Sequence, residues 1–371
     1  MKNNKYLKYL RWLLLAFFLI MVTREAYLHQ VQGGGVAPSV HALCPYGALE
    51  TFYSLVFGGT FLQKIFSGTM ILLGITLVLA VIFRRGFCGL ICPFGALQEF
   101  FGIIGKKIFH KRFIMPIAID KPLRYLKYIV LVVTIYFAWK TAGLWMDPYD
   151  PWAAYGHLSA GYESLTTEYL VGTIVLVIIL VGSLLYDRFF CKYLCPMGAV
   201  YGIVSKISPS KIVRDKDICI NCNLCSKSCP MNIDVAEVDK VISTECISCQ
   251  VCVITCPKVG ALKYKTGKKT LKTLTVIIFV VGLFFMGVFI SKTVGVFEVL
   301  PKQITQESQI NVEEIKGYMT IKDVSIGTKI EIEEVYKKLG ISASVPESTK
   351  LKDVQNFVEG FEVEVAKEKL K

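Results

Sequence analysis

The chain has 371 residues, of which 53% are apolar, and its formal net charge is +13. The basic residues collect in segments between long apolar stretches, so orientation in a membrane explains the charge better than binding to nucleic acid does. No P-loop or G-x-G-x-x-G pattern is present, which leaves nucleotide hydrolysis and NAD binding without support.

Five apolar stretches are candidates for crossing a membrane. Two of them, Trp12–Thr23 and Tyr128–Trp139, are short and flanked by Arg or Lys side chains that can reach the interface. An interfacial helix is the alternative for both, and a cleavable signal peptide is a further alternative for the first. The other three run for 18 or 19 residues without a charge, close to the roughly 20 that a bilayer requires: Ile65–Phe83, Tyr169–Tyr186 and Thr273–Ser291.

The distribution of positive charge predicts the orientation of these spans. Five crossings place residues 1–11, 84–127 and 187–272 on one side, with 4, 9 and 14 Lys or Arg residues. The opposite loops, 24–67 and 140–167, contain 2 and 1. Because positive segments stay in the cytoplasm, we predict a multi-pass cell-membrane protein, surrounded by lipid, whose C-terminal tail lies outside.

Two similar motifs lie 103 positions apart, each after a long apolar stretch. They read CGLICPFGA from Cys88 and CKYLCPMGA from Cys191. The same offset pairs Arg85 with Arg188 and Pro45-Tyr46 with Pro148-Tyr149, which indicates a duplicated membrane unit. We predict a first repeat over residues 1–106 and a second over 107–210.

The cysteines of these C-x3-C-P motifs are candidate ligands. Two pairs brought together by a pseudo-twofold axis supply four thiolates, enough for a further Fe–S centre. If a helix begins after each span, cysteines four positions apart share one of its faces. Dithiol chemistry and simple packing of buried thiols are the alternatives. Cys44 has a similar setting but no partner cysteine, and it stays unassigned. The four candidate ligands are Cys88, Cys92, Cys191 and Cys195.

Aromatic residues cluster in the loop before the fourth apolar stretch. An interfacial aromatic belt is the first interpretation, and a pocket for a quinone head group is the second. The cluster consists of Trp145, Tyr149, Trp152 and Tyr155.

Two cysteine runs follow, within a segment predicted to span residues 211–267. Each reads C-x2-C-x2-C-x3-C-P, the bacterial ferredoxin pattern, in which the fourth cysteine binds the cluster of the other run. The runs predict an α+β domain with two [4Fe–4S] clusters; a zinc ribbon or a disulfide framework is the alternative. One predicted ligand set is Cys219, Cys222, Cys225 and Cys256, and the other is Cys246, Cys249, Cys252 and Cys229.

A fifth span is predicted at 268–292, and a soluble helical tail at 293–371. Thr320 to Asp323 resembles a capping box that opens a helix. A second helix is expected over Ile330–Leu339, closed by Gly340, and a third over Lys350–Phe357 after a turn. The predicted fold is therefore an α-helical integral membrane protein in a duplicated unit of about five transmembrane helices, with an inserted two-cluster ferredoxin domain.

Haem has no support in the sequence. The four histidines lie outside the proposed spans, and no C-x-x-C-H motif occurs.

The two C-x3-C-P motifs followed by paired ferredoxin runs resemble the membrane ferredoxin-type proteins typified by NapH and the membrane half of NosR. This resemblance implies electron transfer between the quinone pool, or another membrane donor, and a partner redox protein. The chain has no recognisable flavin-binding domain of the NosR type, so FMN is not expected. It also has a fifth span and a tail where NapH-like chains often stop.

These observations favour a membrane-anchored Fe–S electron-transfer protein, more an electron-transfer subunit of an oxidoreductase system than a stand-alone enzyme. A redox-responsive regulatory or maturation protein is the alternative function, and an enzyme with its own substrate is a third.

Overall fold

The structure is a computed structural model, and it describes residues 2–58, 65–141, 144–300 and, beyond these, 312, 315, 317, 319–342, 344–351, 354, 357–358, 361 and 363–370. The chain divides into two units. One comprises residues 1–27 with 39–299, and the other comprises 28–38 with 300–371.

The first unit is mainly helical. Its α-helices are, in chain order, α1 (Lys2–Gln32), α2 (Pro45–Gly58), α3 (Ser67–Phe83), α4 (Gly86–Leu90), α5 (Pro93–Phe109), α6 (Ile117–Thr141), α7 (Pro151–Gly156), α8 (Tyr162–Thr167), α9 (Leu170–Leu185), α10 (Phe189–Tyr193), α11 (Pro196–Val204), α12 (Leu224–Lys227), α13 (Val251–Thr255) and α14 (Thr273–Thr293).

The lengths of the membrane helices differ from the prediction. The stretches predicted to be short lie in α1 and α6, of 31 and 25 residues, because these helices continue through their charged ends. Together with α14 they are the three described helices that are long and apolar enough to cross a membrane. In contrast, the first two long apolar stretches form α3 and α9, of only 17 and 16 residues. The predicted order of lengths is therefore wrong, since an uncharged run does not mark where a helix ends.

The helices in the two predicted repeats follow one another in the same order. Helices α3, α4 and α5 are followed 103 positions later by α9, α10 and α11. Both α5 and α11 begin at a proline, Pro93 and Pro196, which is a favoured residue for the first position of a helix.

A small antiparallel sheet follows the second repeat. Its strands β1 (Ser210–Arg214), β2 (Lys240–Val241), β3 (Leu262–Thr266) and β4 (Lys269–Leu271) pair in the order β2-β1-β3-β4. Ile212 pairs with Val241 on one side and with Tyr264 on the other, and all three are buried. Their apolar core continues into residues of α14. This ferredoxin part, with α12 and α13, is therefore joined to the helix bundle by one continuous core.

The ferredoxin part lies at one end of α3. Directly after α3, Arg84 donates hydrogen bonds to the carbonyl oxygens of Ile242 and Ser243, at 3.0 and 2.5 Å. At the other end of α3, Ser67 donates to the carbonyl of Val296, at 2.7 Å. Because Val296 follows α14 directly, α14 takes the chain from the ferredoxin end of the bundle to the opposite end.

The second unit contains the helices α15 (Ile321–Thr328), α16 (Ile332–Leu339) and α17 (Val363–Leu370). The predicted capping box is present, with Thr320 and Asp323 bonded reciprocally, and Gly340 closes α16 in the left-handed conformation. These two predictions are confirmed. The predicted third helix, Lys350–Phe357, lies partly outside the described residues.

Candidate iron-sulfur sites

Two cavities in the ferredoxin part each bring four cysteines together. The outer cavity is lined by Cys219, Cys222, Cys225 and Cys256. The inner cavity is lined by Cys246, Cys249, Cys252 and Cys229. These are the same two groups of four that the spacing of the runs predicts, with the fourth cysteine of each run crossing to the other cavity.

The backbone on both sides of each middle cysteine is left-handed. Asn221 and Asn223 flank Cys222 with φ of 53° and 58°, and Ser248 and Gln250 flank the equivalent Cys249 with φ of 50° and 63°. Asparagine tolerates this conformation, but for serine and glutamine it is strained. The left-handed residues turn the chain on either side of the middle cysteine. Three thiols of one short run can therefore line the same cavity.

The donor sets suit the predicted clusters. A [4Fe–4S] cluster takes four thiolates, and each cavity presents four. Burial raises the pKa of Cys229 to about 12 and also raises the pKa of Cys246, so free thiols would keep their protons and iron must displace them. Within the described part of the chain, no three His, Cys, Asp or Glu side chains are close enough to hold a single metal ion.

The two cavities differ in exposure. All four cysteines of the inner cavity are buried, whereas in the outer cavity Cys222 is exposed and Cys219 and Cys256 are partly exposed. Cys252 of the inner cavity interacts electrostatically with Cys225 of the outer one. The outer cavity is therefore the one that a soluble molecule can reach.

The C-x3-C-P cysteines do not share one helix face, so that expectation is wrong. Cys88 lies in α4, but Cys92 lies outside it and caps the start of α5 in an extended conformation, with ψ of 116°. Cys191 and Cys195 repeat this arrangement at α10 and α11, where ψ of Cys195 is 110°. The reason is the following proline, which disfavours the helical conformation in the residue before it.

The four thiols nevertheless lie together, and we call them the repeat site. Cys92 interacts electrostatically with Cys88 and Cys191, and Cys195 interacts with all three. The Gln98 side-chain amide donates to the Cys191 sulfur, at 3.3 Å. The two repeats thus contribute two thiols each to one group, in which Cys88 and Cys191 are buried and Cys92 and Cys195 are partly exposed.

An arginine from each repeat crosses to the other. A Cβ added to Gly95 would lie 2.7 Å from Nη1 of Arg188. A Cβ added to Gly198, the equivalent glycine, would lie 2.8 Å from Nη2 of Arg85. Glycine at both places leaves room for the guanidinium groups to approach. Burial raises the pKa of the Cys88 thiol, whereas the charges of Arg85 and Arg188 lower it, so both arginines favour the thiolate.

The repeat site lies inside the helix bundle. Gly105, near the end of α5, contacts Leu184 at the end of α9, whereas Phe94, at the start of α5, packs against Trp152 of α7 with 5.2 Å between ring centroids. Helix α7 packs against the start of α9. Cys92 therefore lies between the two ends of α9, and the positive end of the α5 dipole points toward the thiols.

The inner cavity is adjacent to this site. A Cβ on Gly89 would lie 2.2 Å from the carbonyl oxygen of Ile247 and 3.0 Å from Cα of Cys249. Cys88 and Cys249 belong to the same apolar cluster. Only glycine lets the two backbones approach this closely, so residue 89 is fitted to the loop that lines the inner cavity.

Basic side chains hold the cysteine loop in place from the membrane part. Arg112 donates to the carbonyl oxygen of Cys229 and, at 3.0 Å, to the side chain of Asn232. Arg124 donates to the carbonyl of Met231, also at 3.0 Å. The positive segments that predict orientation therefore also dock the ferredoxin part.

Two buried ion clusters were not predicted. Glu99 is bound by Arg11 and Arg188, each with an N–O distance of 2.7 Å. Glu245 is bound by Arg85, at 3.2 Å, and by Lys127. The partners are 88 or more positions apart, so no local pattern marks them; only the offset between Arg85 and Arg188 points to an equivalent role.

The outer-loop aromatic residues stack on one another. Ring centroids are 5.1 Å apart for Trp145 and Tyr149, and 5.0 Å apart for Trp152 and Tyr155. The quinone pocket predicted there stays a prediction. Cys44 precedes Pro45 at the start of α2, as Cys92 and Cys195 precede the prolines of α5 and α11.

Models of known families match the same parts of the chain. A 4Fe-4S binding domain matches twice, over residues 65–112 and 169–214, and a 4Fe-4S dicluster domain matches residues 211–266. The first model therefore falls once on each repeat, and the second on the ferredoxin part. No solved structure gives a significant match.

Known proteins are similar over the same region. The MJ0749 protein of Methanocaldococcus jannaschii is 33% identical over 60% of this chain and 82% of its own length. YccM of Escherichia coli (strain K12) is 31% identical over 60% of this chain, and the match covers 62% of YccM, less than two thirds. NapH of Haemophilus influenzae, a ferredoxin-type protein, is 34% identical over 23% of this chain and 33% of its own length.

Taken with the paired cysteine cavities, these matches define an iron–sulfur protein. The chain belongs to the family of membrane ferredoxin-type proteins that NapH represents, which confirms the resemblance predicted from the cysteine motifs.

Proposed function

We propose that the protein is a membrane-anchored electron-transfer protein with three iron–sulfur centres in series. The cysteines of the outer and inner cavities each hold one [4Fe–4S] cluster, and the repeat site holds a further Fe–S centre. When bound, such clusters supply one-electron chemistry. The chain itself fixes their order, excludes water from two of them and leaves the third accessible.

The order of the three sites supports this function most directly. Gly89 of the first repeat lies against Cys249 of the inner cavity, and Cys252 of the inner cavity interacts electrostatically with Cys225 of the outer one. The most exposed cysteine of the series, Cys222, lies in the outer cavity, whereas all four cysteines of the inner cavity are buried. Such a series suits the passage of electrons between a donor in the membrane and a partner in solution.

The names of related proteins agree with this role. YccM is named for electron transport, and NapH and the methylamine-utilisation protein MauN are both named as ferredoxin-type proteins. We extend electron transfer to this chain on that basis.

The exposed apolar surfaces support anchoring in lipid. Large side chains of α6, α9 and α14 remain exposed, among them Val132, Val177 and Phe289 at 67%, 55% and 68%. Exposed apolar surface of this extent needs a lipid or protein covering. We propose five crossings, with α3 and α9 as the two short ones. The ferredoxin part then lies in the cytoplasm and the tail outside, as the bias in Lys and Arg requires.

The two ends of the series indicate the classes of partner. A quinol is the proposed membrane donor or acceptor, because it carries electrons within lipid. The soluble partner is a redox protein that covers the outer cavity. Ile220, Leu224 and Val259, close in sequence to the cysteines of that cavity, are 54%, 42% and 92% exposed and provide apolar area for such docking.

Electron exchange from both ends tests the proposal. The full chain is purified without oxygen, placed in lipid nanodiscs and mixed with a short-chain quinol or with a soluble low-potential ferredoxin. We expect Cys222→Ala to abolish exchange with the ferredoxin and to leave the inner cluster reducible. Cys249→Ala should stop electrons from passing between the quinol and the ferredoxin, because it removes a ligand of the inner cluster. Unchanged exchange at both ends in both variants would contradict the series.

A further inference from the structure

A second polar cluster lies at the end of the bundle opposite the ferredoxin part. His41 and Asp147 form an ion pair with 2.7 Å between Nε2 and Oδ1. Glu50 of α2 interacts electrostatically with both, and Tyr46 lies one turn before it. The electron-transfer role described above does not use any of these groups.

These groups connect the end of the bundle to the repeat site. The Asp147 side chain is 16% exposed, whereas Glu50 is 3% and Tyr46 is 8% exposed. Tyr46 interacts electrostatically with Cys195 of the repeat site. Asp147 is therefore the most exposed of these groups, His41, Glu50 and Tyr46 are buried behind it, and the line ends at a thiol.

One carboxylate oxygen in this line has no hydrogen-bond partner in the described part of the chain. Oε1 of Glu50 accepts no hydrogen bond there, although the residue is almost fully buried. An unsatisfied buried carboxylate oxygen is costly, and a proton on the carboxyl removes most of that cost.

The groups around Glu50 favour a proton on it. The pKa of Glu50 is raised to about 8: burial and the nearby carboxylates of Asp150 and Asp147 raise it, whereas the charge of His41 and a hydrogen bond from the Met146 backbone lower it. The titratable groups that face it are Cys44 and Tyr46 beside it in the chain, His41 in the preceding loop, and Asp147 and Asp150 in the outer loop.

We propose that Glu50 takes up a proton when the repeat site is reduced and releases it on oxidation, through His41 and Asp147, toward the end of the bundle opposite the ferredoxin part. This inference rests on the proposed function, since it requires a redox centre at the repeat site. One electron arrives from the membrane donor and one proton from solution, so the added charge is neutralised. On reoxidation the electron leaves toward the inner cavity and the proton leaves by the same polar groups.

The test is the pH dependence of the midpoint potential of the repeat site in the full chain. Paramagnetic resonance during redox titration follows the signal that Cys88→Ala removes. For wild type we expect the potential to fall as the pH rises between about pH 6 and 10, by up to about 59 mV per tenfold change in proton activity. Glu50→Gln should remove this slope. Glu163→Gln, an exposed change in α8, should keep it.

A second readout does not depend on potentials. The redox-difference infrared spectrum should contain the carbonyl stretch of a protonated carboxyl, absent in Glu50→Gln. His41→Gln should keep the infrared band and slow its appearance, which provides a variant if Glu50→Gln fails to fold. A pH-independent potential in wild type, or a slope that persists in Glu50→Gln, would overturn the inference. If Cys88→Ala keeps every paramagnetic signal of wild type, the repeat site holds no Fe–S centre, and the proposed function is what fails.

Discussion

The two repeats have the same framework but differ in how they contact the ferredoxin part. Each has a short apolar helix, an arginine that crosses to the other repeat, and a Cys-Pro that opens the next helix. They differ where Glu99 of the first repeat corresponds to Gly202 of the second. They differ again where Gly89 corresponds to Lys192. Both differences concern the ferredoxin part.

The first difference concerns a buried carboxylate. In the first repeat Glu99 neutralises Arg188 and Arg11. The second repeat has no carboxylate at the equivalent Gly202, and Glu245 of the ferredoxin part neutralises Arg85 and Lys127 instead. A Cβ on Gly202 would lie 3.9 Å from the carbonyl oxygen of Thr244, directly before Glu245. The ferredoxin part thus completes an ion cluster that the second repeat leaves incomplete.

The second difference concerns space. Gly89 admits the loop of the inner cavity, whereas the equivalent Lys192 is fully buried and fills the corresponding volume in the second repeat. Of the two equivalent positions, only the one in the first repeat therefore has room for the loop of the ferredoxin part.

The largest effect is expected from Glu99→Gln. Removing one partner of a buried ion cluster leaves uncompensated charge, here two guanidinium groups, at a cost of about 3–5 kcal/mol. We expect a large fall in the thermal unfolding midpoint of the protein in detergent. Glu163→Gln on the surface serves as the control. Equal midpoints in the two variants would show that the Glu99 cluster is not needed for stability.

Glu245→Gln should act on the junction more than on the membrane helices. Arg85 loses its carboxylate, so the ferredoxin part should become more sensitive to proteases while the repeats stay folded. Gly202→Glu in the Glu245→Gln background returns a carboxylate from within the repeat. This double variant should regain the thermal unfolding midpoint of wild type but should stay sensitive to proteases. If Glu245→Gln leaves protease resistance unchanged, Glu245 does not hold the ferredoxin part.

Gly89→Ala tests the fit between the first repeat and the inner cavity. The added methyl group meets backbone atoms at 2.2 and 3.0 Å, which cannot move separately, so the loop with Cys249 must shift. We expect an altered paramagnetic signal from the inner cluster and an unchanged signal from the outer one. Gly74→Ala, in α3 with no atom within 4 Å of the new Cβ, is the matched control. An identical spectrum in both variants would contradict the close approach.

A smaller effect is expected from acid. Burial raises the pKa of Glu99, but the charges of Arg11 and Arg188 outweigh it and lower the pKa to about 2, from an ordinary value of 4.5. The stabilisation is therefore complete above pH 4.5 and is lost as the pH falls toward 2. Unfolding of wild type by denaturant should become easier over this range, and Glu99→Gln should lack that component. A parallel decline in the two proteins would assign acid sensitivity to other groups.

The sequence predicts those features that short-range patterns determine. The spacing of Cys219 to Cys256 predicts both groups of four because the turns within each run are local. The duplication is also predicted, because the two motifs that lie 103 positions apart are each short and can be recognised separately. The break between Cys88 and Cys92 was also open to prediction from Pro93, but helical spacing alone suggested one continuous face.

Other features depend on contacts between distant segments. Glu99, Glu245 and Gly89 have no distinctive neighbours in the sequence, and their partners lie in separate helices or in the ferredoxin part. The apolar runs do not predict the full lengths of α1 and α6, because charged ends interrupt the run without ending the helix.

Iron and acid-labile sulfide, measured with paramagnetic resonance on protein prepared without oxygen, test the central claim most directly. Two [4Fe–4S] clusters contain about eight irons, and wild type should contain more iron than this. Cys88→Ala and Cys191→Ala should each reduce the iron to about eight and remove one signal, whereas Cys44→Ala, in a similar Cys-Pro setting, should match wild type. If wild type contains only about eight irons, and the two repeat-site variants keep the same iron and spectrum, the repeat site holds no cluster and the series of three centres is wrong.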